Sequence, residues 1–178
     1  PCMDNDRLRR GKPTTHIKFG ESTAVLAGSS LLTMAFEILT ENKFKVSEKS
    51  KNDLIKNLAA CSGHTGVAGG QELDLRYERK KKSFKQITQM QRKKTGQLFK
   101  FCCYAPCLIA NRSISEKKNM SKLGEDIGLL FQLADDFLDI KGSKKKVGKS
   151  LNKDNKKGKS TLIKLIGYNK AILYAENL

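Results

Sequence analysis

The stretch Leu123–Ile140, LGEDIGLLFQLADDFLDI, constrains this chain more than any other, because it sets three aspartates into a sequence that otherwise reads as buried helix. Leu123, Ile127, Leu130, Ala134, Phe137 and Leu138 recur at helical spacing and predict an apolar, core-facing side. A second stripe, Gly124, Gly128, Gln132, Asp135 and Asp139, recurs at steps of three and four, so small residues lead along one face to an amide and two carboxylates. That face reads as the wall of a polar cavity. Like charges one turn apart cost an isolated helix about 0.2–0.5 kcal/mol, and an unpaired carboxylate inside protein costs several kcal/mol more. A counter-ion is therefore expected for Asp135, Asp136 and Asp139. Oxygen ligands with no His or Cys beside them favour Mg²⁺. The competing reading is a solvated helix end, since Lys141, Gly142 and Ser143 follow at once.

The charge balance narrows the partners. Lys plus Arg is 35 against 18 Asp plus Glu, a net +17, which favours anionic ligands such as phosphorylated substrates, nucleic acid or a membrane surface. Only Arg7, Arg9, Arg10, Arg76, Arg79, Arg92 and Arg112 are arginines, whereas base reading leans on Arg. The lysine runs are scattered without interleaved aromatics, so no nucleic-acid partner is expected and much of the excess reads as a solvated coat. Cys2, Cys61, Cys102, Cys103 and Cys107 form no regular framework and read as reduced, buried thiols of a cytoplasmic protein. No apolar run approaches the roughly 20 residues that would span a bilayer, so no transmembrane segment is expected. The chain opens at Pro1 without an initiator Met and stops within a helical pattern, so a piece of a longer protein is expected, a single partial domain over residues 1–178.

Along the chain, residues 1–19 read as a polar loop whose Asp4, Asp6, Arg9, Arg10 and Lys12 form either a salt-bridged surface turn or a phosphate-binding group with a metal. Glu21 to Thr40 predicts a weakly charged helix serving as core scaffold. A second helical pattern runs from about Lys51 to Arg79, with Leu54, Ile55, Leu58 and Cys61 on its apolar side. Its middle, SGHTGVAGGQELDL, carries four glycines, each costing a helix on the order of 1 kcal/mol relative to Ala, so close backbone approach is required there. Gln71 and Asp74 share one face beyond it, and His64 reads as packed or surface-exposed. Ser83 and Gln86 predict a capping box for a helix from about Phe84 to Asn111 with Ile87, Met90, Leu98, Phe101 and Leu108 as core, loosened at Pro106. Lys94 and Thr95 interrupt that apolar surface and either point inward or, for the lysine, snorkel outward. Ser113 and Glu116 predict the cap of the aspartate-bearing helix, and Leu162 to Leu178 resumes helix after a Lys- and Gly-rich linker flanked by Lys149 and Lys159. No alternating strands and no internal repeat occur. The fold class is all-α.

Taken collinearly, PCMDND, LRRGKPTTH, FGE, LAG, AFEIL, GGQELDL, KKTGQLF, IGLLFQLADDFLDI, VGKS and KGKST resemble the trans isoprenyl diphosphate synthases, the farnesyl and geranylgeranyl diphosphate synthase type. The resemblance covers nearly the whole chain and implies an isoprenoid synthase-type helical bundle around a central cavity, of which this chain is part. It implies a Mg²⁺-dependent condensation of an allylic diphosphate with isopentenyl diphosphate, with farnesyl diphosphate as product. Geranylgeranyl diphosphate synthesis, or service as a non-catalytic partner subunit, are the alternatives. By the same match Asp135, Asp136 and Asp139 form the second metal motif and Asp4 the last aspartate of the first, whose leading pair lies upstream. Arg9 and Arg10 match diphosphate-binding arginines, and Lys94, Lys149 and Lys159 the lysines that grip the allylic diphosphate. Thr95 and Gln132 match residues beside the developing carbocation, with Lys94 completing the catalytic set, and Gln71 and Asp74 match a polar pair on the cavity wall. A homodimer is implied. Arg7 stands where many relatives carry an acid and Ser29 where an Asp is common, and activity of the isolated 178 residues is not expected.

Overall fold

The computed structural model describes residue 3, residues 5–141 and residues 158–178. Most of these residues form helices: α1 Thr15–Phe19, α2 Glu21–Thr40, α3 Glu48–Ser62, α4 Val67–Tyr77, α5 Phe84–Gln91, a π-helical turn Arg92–Gly96, α6 Gln97–Ile109, α7 Ile114–Lys141, α8 Leu162–Ile166 and α9 Tyr168–Glu176. The all-α expectation holds, with one short hairpin standing where the polar loop was expected. Its strands β1, Leu8–Arg9, and β2, Lys12–Pro13, pair antiparallel across Arg10 and Gly11, both at positive φ as a two-residue hairpin turn demands.

The helix boundaries follow their caps. Ser47 Oγ accepts from the Ser50 N–H at 3.2 Å and starts α3 three residues before the sequence pattern does. Ser83 and Gln86 form the expected capping box of α5, and Ser113 and Glu116 that of α7. The helix expected from Lys51 to Arg79 is two helices. A Cβ at Gly66 would collide with the Cys61 carbonyl, so the chain turns there in contact with its own preceding backbone. Gly167, at φ 84°, likewise divides the expected C-terminal helix into α8 and α9.

The core gathers Ile87, Met90, Leu129, Leu133 and Leu162, with Leu73, Tyr77, Phe137 and Tyr174 packed against it. Each such side chain contributes about 1.5–3 kcal/mol on burial. Edge-to-face ring pairs, Phe84 with Tyr174 and Phe137 with Tyr168, both at 5.1 Å, dock α9 onto α5 and α7.

Four burial expectations are corrected. Helix α7 turns its glycine and carboxylate side, not its apolar stripe, toward the described residues: Leu123, Ile127, Ala134 and Leu138 are exposed while Gly124, Gly128, Asp136 and Asp139 are buried. The reason is the close approach the glycines permit, since a Cβ on Gly128 would stand 2.5 Å from Gly96 Cα. Helix α2 is no core scaffold here. None of its residues is buried, Leu26 and Leu31 are two-thirds exposed, and at 20 residues it is long and apolar enough to cross a membrane by length and composition alone, contrary to the sequence expectation. Cys102 is exposed rather than buried, and Leu98 lies 43% exposed because the π-turn re-phases the helix before it.

Candidate active site

The π-turn is what the site is built on. It inserts one extra residue's worth of rotation between α5 and α6, so Lys94 and Thr95 leave the outer phase and face α4 and α7 respectively. Lys94 Nζ donates to Asp74 Oδ2 at 2.6 Å, and Lys159 Nζ stands 3.5 Å from the same oxygen. Asp74 is buried on α4, one helical turn after Gly70, whose missing Cβ lets α4 rest against the Lys94 backbone. Two lysines from distant parts of the chain are thereby held together on one carboxylate, with Gln71 half-buried beside it on the same helix.

On the other side of the π-turn, Thr95 Oγ1 donates to Gln132 Oε1 at 3.1 Å, and Gln132 Nε2 donates to Asp136 Oδ1 at 2.8 Å. Asp136 Oδ2 accepts from Gln91 Nε2 at 3.2 Å. Gln91 was not singled out by sequence, although it continues the buried Ile87 and Met90 side of α5, and a polar residue on such a side is the signal that finds it. The seam is clamped further along by Arg92 Nη2 on Asp126 Oδ1 at 2.6 Å and Lys100 Nζ on Glu125 Oε1 at 2.9 Å. Asp139 is buried and Asp135 half-buried at the far end of the same face.

Other predicted residues stay apart. Arg9 and Arg10 stand exposed on the hairpin, and no described hydrogen bond or ion pair joins them to α7. Asp4 and Lys149 lie outside the described residues, as does most of the basic linker. A cavity of about 430 Å³ opens beside Lys159, where Arg79, Lys80, Lys81, Lys82 and Lys164 surround an apolar floor of Ile87 and Leu165 and raise the positive potential at this end. Burial pushes the Cys61 thiol above its usual range, which keeps it protonated, and its Sγ lies 3.9 Å from Gln97 Oε1.

The donor set suits a hard divalent cation. Asp135 and Asp139 offer only oxygen and lie one turn apart; among the described residues no three acidic, His or Cys side chains close into a cage. Mg²⁺ binds through one or two carboxylates and completes its shell with water and phosphate oxygens, so an open half-site of this kind fits it.

An all-helical bundle with paired lysines at one wall and an aspartate-rich helix at the other defines the class, that of proteins with an isoprenyl synthase-like fold. A polyprenyl synthetase family model matches residues 2–174, and the chain belongs to that family. It is 38% identical over 167 residues to the farnesyl diphosphate synthase of Bacillus subtilis (strain 168), covering 93% of this chain and 56% of the relative. Over 181 residues it is 40% identical to geranylgeranyl pyrophosphate synthase 4 of Arabidopsis thaliana, covering all of this chain and 48% of that one. A crystal structure of the Helicobacter pylori geranyltransferase, complexed with magnesium and isoprenyl diphosphate, superposes with a TM-score of 0.89 at 33% identity, covering 99% of this chain and 57% of that one. The chain thus spans about half the length of the curated relatives it matches.

Proposed function

We propose that the protein containing this chain is a trans-prenyltransferase that joins an allylic diphosphate, dimethylallyl or geranyl, to isopentenyl diphosphate and forms farnesyl diphosphate. The observation that carries this reading is the convergence of Lys94 and Lys159 on Asp74, opposite the Thr95, Gln132 and Asp136 chain on α7. Breaking the allylic C–O bond puts negative charge on the departing diphosphate and leaves a carbocation. The two lysines supply fixed positive charge for the first, and Asp74 keeps them in position before the ligand arrives. Arg9, Arg10 and Lys149 join them around the diphosphates. Asp135 and Asp139, with Asp4 from the first motif, are the residues that would hold Mg²⁺, and Asp136, whose oxygens accept from Gln132 and Gln91, would steady the motif beside them. When bound, that ion supplies Lewis-acid stabilisation of the leaving diphosphate.

The Thr95 hydroxyl proton is committed to Gln132, so its lone pairs remain for the cavity, where they stabilise the cation. The double bond of isopentenyl diphosphate then attacks, a carbon–carbon bond forms, and the proton lost from the adduct passes to the released diphosphate. Gln71 and Asp74 complete the polar wall. The second product reading, geranylgeranyl diphosphate, rests on the likeness to the Arabidopsis synthase of that name. A homodimer accounts for the unburied apolar surface of α2, and four free thiols among the described residues suit a reducing, cytoplasmic compartment. The test is to incubate the intact protein with labelled isopentenyl diphosphate, geranyl diphosphate and Mg²⁺ and to identify the product. Fifteen-carbon diphosphate is the expected product; no elongation would overturn the reading, and a twenty-carbon product would transfer it to the second.

A further inference from the structure

The buried amide of Gln91 has one end satisfied and the other abandoned. Its Nε2 donates to Asp136 Oδ2 at 3.2 Å, while its Oε1 is buried with no hydrogen-bond partner among the described residues. Rotating the amide would not cure this, because it would press oxygen against a carboxylate oxygen. A buried acceptor without a donor is a standing loss, and the neighbouring core positions on the same helix, Ile87 and Met90, are filled by apolar side chains. Packing alone thus favours an apolar residue at 91. The amide's use lies in its donor.

That donor acts at the end of a directed chain. Thr95 donates to Gln132, Gln132 donates to Asp136, and Asp136 accepts from both Gln132 and Gln91 through its two oxygens. If Asp136 turned, the Gln132 amide would lose the partner that distinguishes its nitrogen from its oxygen, and Thr95 would be free to point its proton into the cavity instead of a lone pair. A proton there repels a carbocation; a lone pair attracts it. We infer that Gln91 is a positioning residue which, by anchoring Asp136, fixes the Gln132 amide and turns the Thr95 oxygen lone pairs toward the reacting carbon. The inference rests on the prenyltransferase reading above and concerns residues α5 contributes from outside the cavity.

The experiment compares intact wild-type protein with Gln91→Met, Gln91→His and Asp135→Ala. Methionine keeps the volume and removes the donor, so kcat falls roughly 10–100-fold, as for other outer partners of site carboxylates, while KM for both diphosphates and the melting temperature stay near wild type. Histidine can donate from its ring to Asp136, so Gln91→His restores kcat to within about three-fold of wild type. Should Gln91→Met fail to fold, Gln91→Asn, whose amide stops one methylene short, must show the same kcat loss. Equal kcat in wild type and the donor-lacking variant overturns the inference, as does a folded Gln91→His as slow as Gln91→Met. An inactive wild type overturns the underlying reading instead, and loss in Asp135→Ala with none in Gln91→Met separates the two. Calorimetric binding of inorganic diphosphate with Mg²⁺, weakened in Asp135→Ala and unchanged in Gln91→Met, locates the Gln91 effect after binding.

Discussion

Replacing Gly128 by alanine strikes the contact on which the site depends. An alanine Cβ would lie 2.5 Å from Gly96 Cα, 3.0 Å from Gly96 N and 3.3 Å from Phe99 Cδ2. Carbon atoms prefer roughly 3.5–4.0 Å, so α7 must retreat from the π-turn by about 1 Å, and the nearest atoms are backbone that cannot swing away. Overpacking of this kind costs about 1–3 kcal/mol, and backbone partners put Gly128→Ala at the upper end. Alanine's helix preference returns about 1 kcal/mol. A retreat of that size also stretches the 3.1 Å Thr95–Gln132 bond past hydrogen-bonding distance, which adds about 0.5–1.5 kcal/mol. The net expectation is a loss of about 2.5–3.5 kcal/mol, read by urea unfolding of the intact protein with an unchanged m-value. Turnover at a temperature where the variant remains folded should fall as well, because Thr95 and Gln132 part. Stability equal to or above wild type would refute the claim that the glycine face of α7 is the contact surface.

Other perturbations test other parts of the account. Lys94→Met leaves the buried Asp74 with Lys159 at 3.5 Å and should cost about 1–3 kcal/mol; adding Asp74→Leu should restore stability but not diphosphate binding, a separation that unfolding and calorimetry read together. Under native conditions a maleimide should label the exposed Cys102 quickly and Cys61 only after unfolding, because burial both shields that thiol and raises its pKa; mass spectrometry of the labelled peptides checks the order. Glu116 has its pKa lowered, first by the Ser113 hydroxyl and then by the Ser113 backbone, so its contribution to the α7 cap is present above the ordinary carboxylate value and lost as pH falls through the lowered one. Ser113→Ala, which removes the hydroxyl but keeps the backbone N–H, should weaken that acid dependence in a pH series of unfolding curves. If the homodimer proposed above forms through α2, Leu31→Glu should shift the intact protein from dimer to monomer in sedimentation; an unchanged mass would assign the exposed apolar face to another covering.

The sequence disclosed most where signals are local. Both capping boxes, the bounds of α2 and the apolar side of α3 were legible because propensity and hydrogen-bonding chemistry act within a few residues. The glycine cluster before Asp74 announced a close approach, and the structure supplies its partner in the Lys94 backbone. Periodicity failed on α7 because two stripes competed, and the number of apolar residues outweighed in that reading the smallness that decides which side can be approached. The π-turn was invisible to a 3.6-residue template, since one extra residue re-phases everything after it; Leu98 was misplaced for that reason, while of the two readings open for Lys94 and Thr95 the structure takes the inward one. Gln91 escaped because a lone glutamine within an apolar pattern carries little signal until its partner, 45 positions away, is known. Of the site, the pairing of Lys94 with Lys159 through Asp74 is a tertiary fact that no spacing along the chain contains.

The central claim is that the aspartate-bearing face of α7 is a working wall of a diphosphate-handling cavity, and steady-state prenyl transfer by the intact protein carrying Asp135→Ala tests it most directly. With circular dichroism and melting temperature at wild-type values, kcat should drop by roughly a hundred-fold or more. Turnover within about two-fold of wild type would return the aspartates to a solvated helix end and contradict the account.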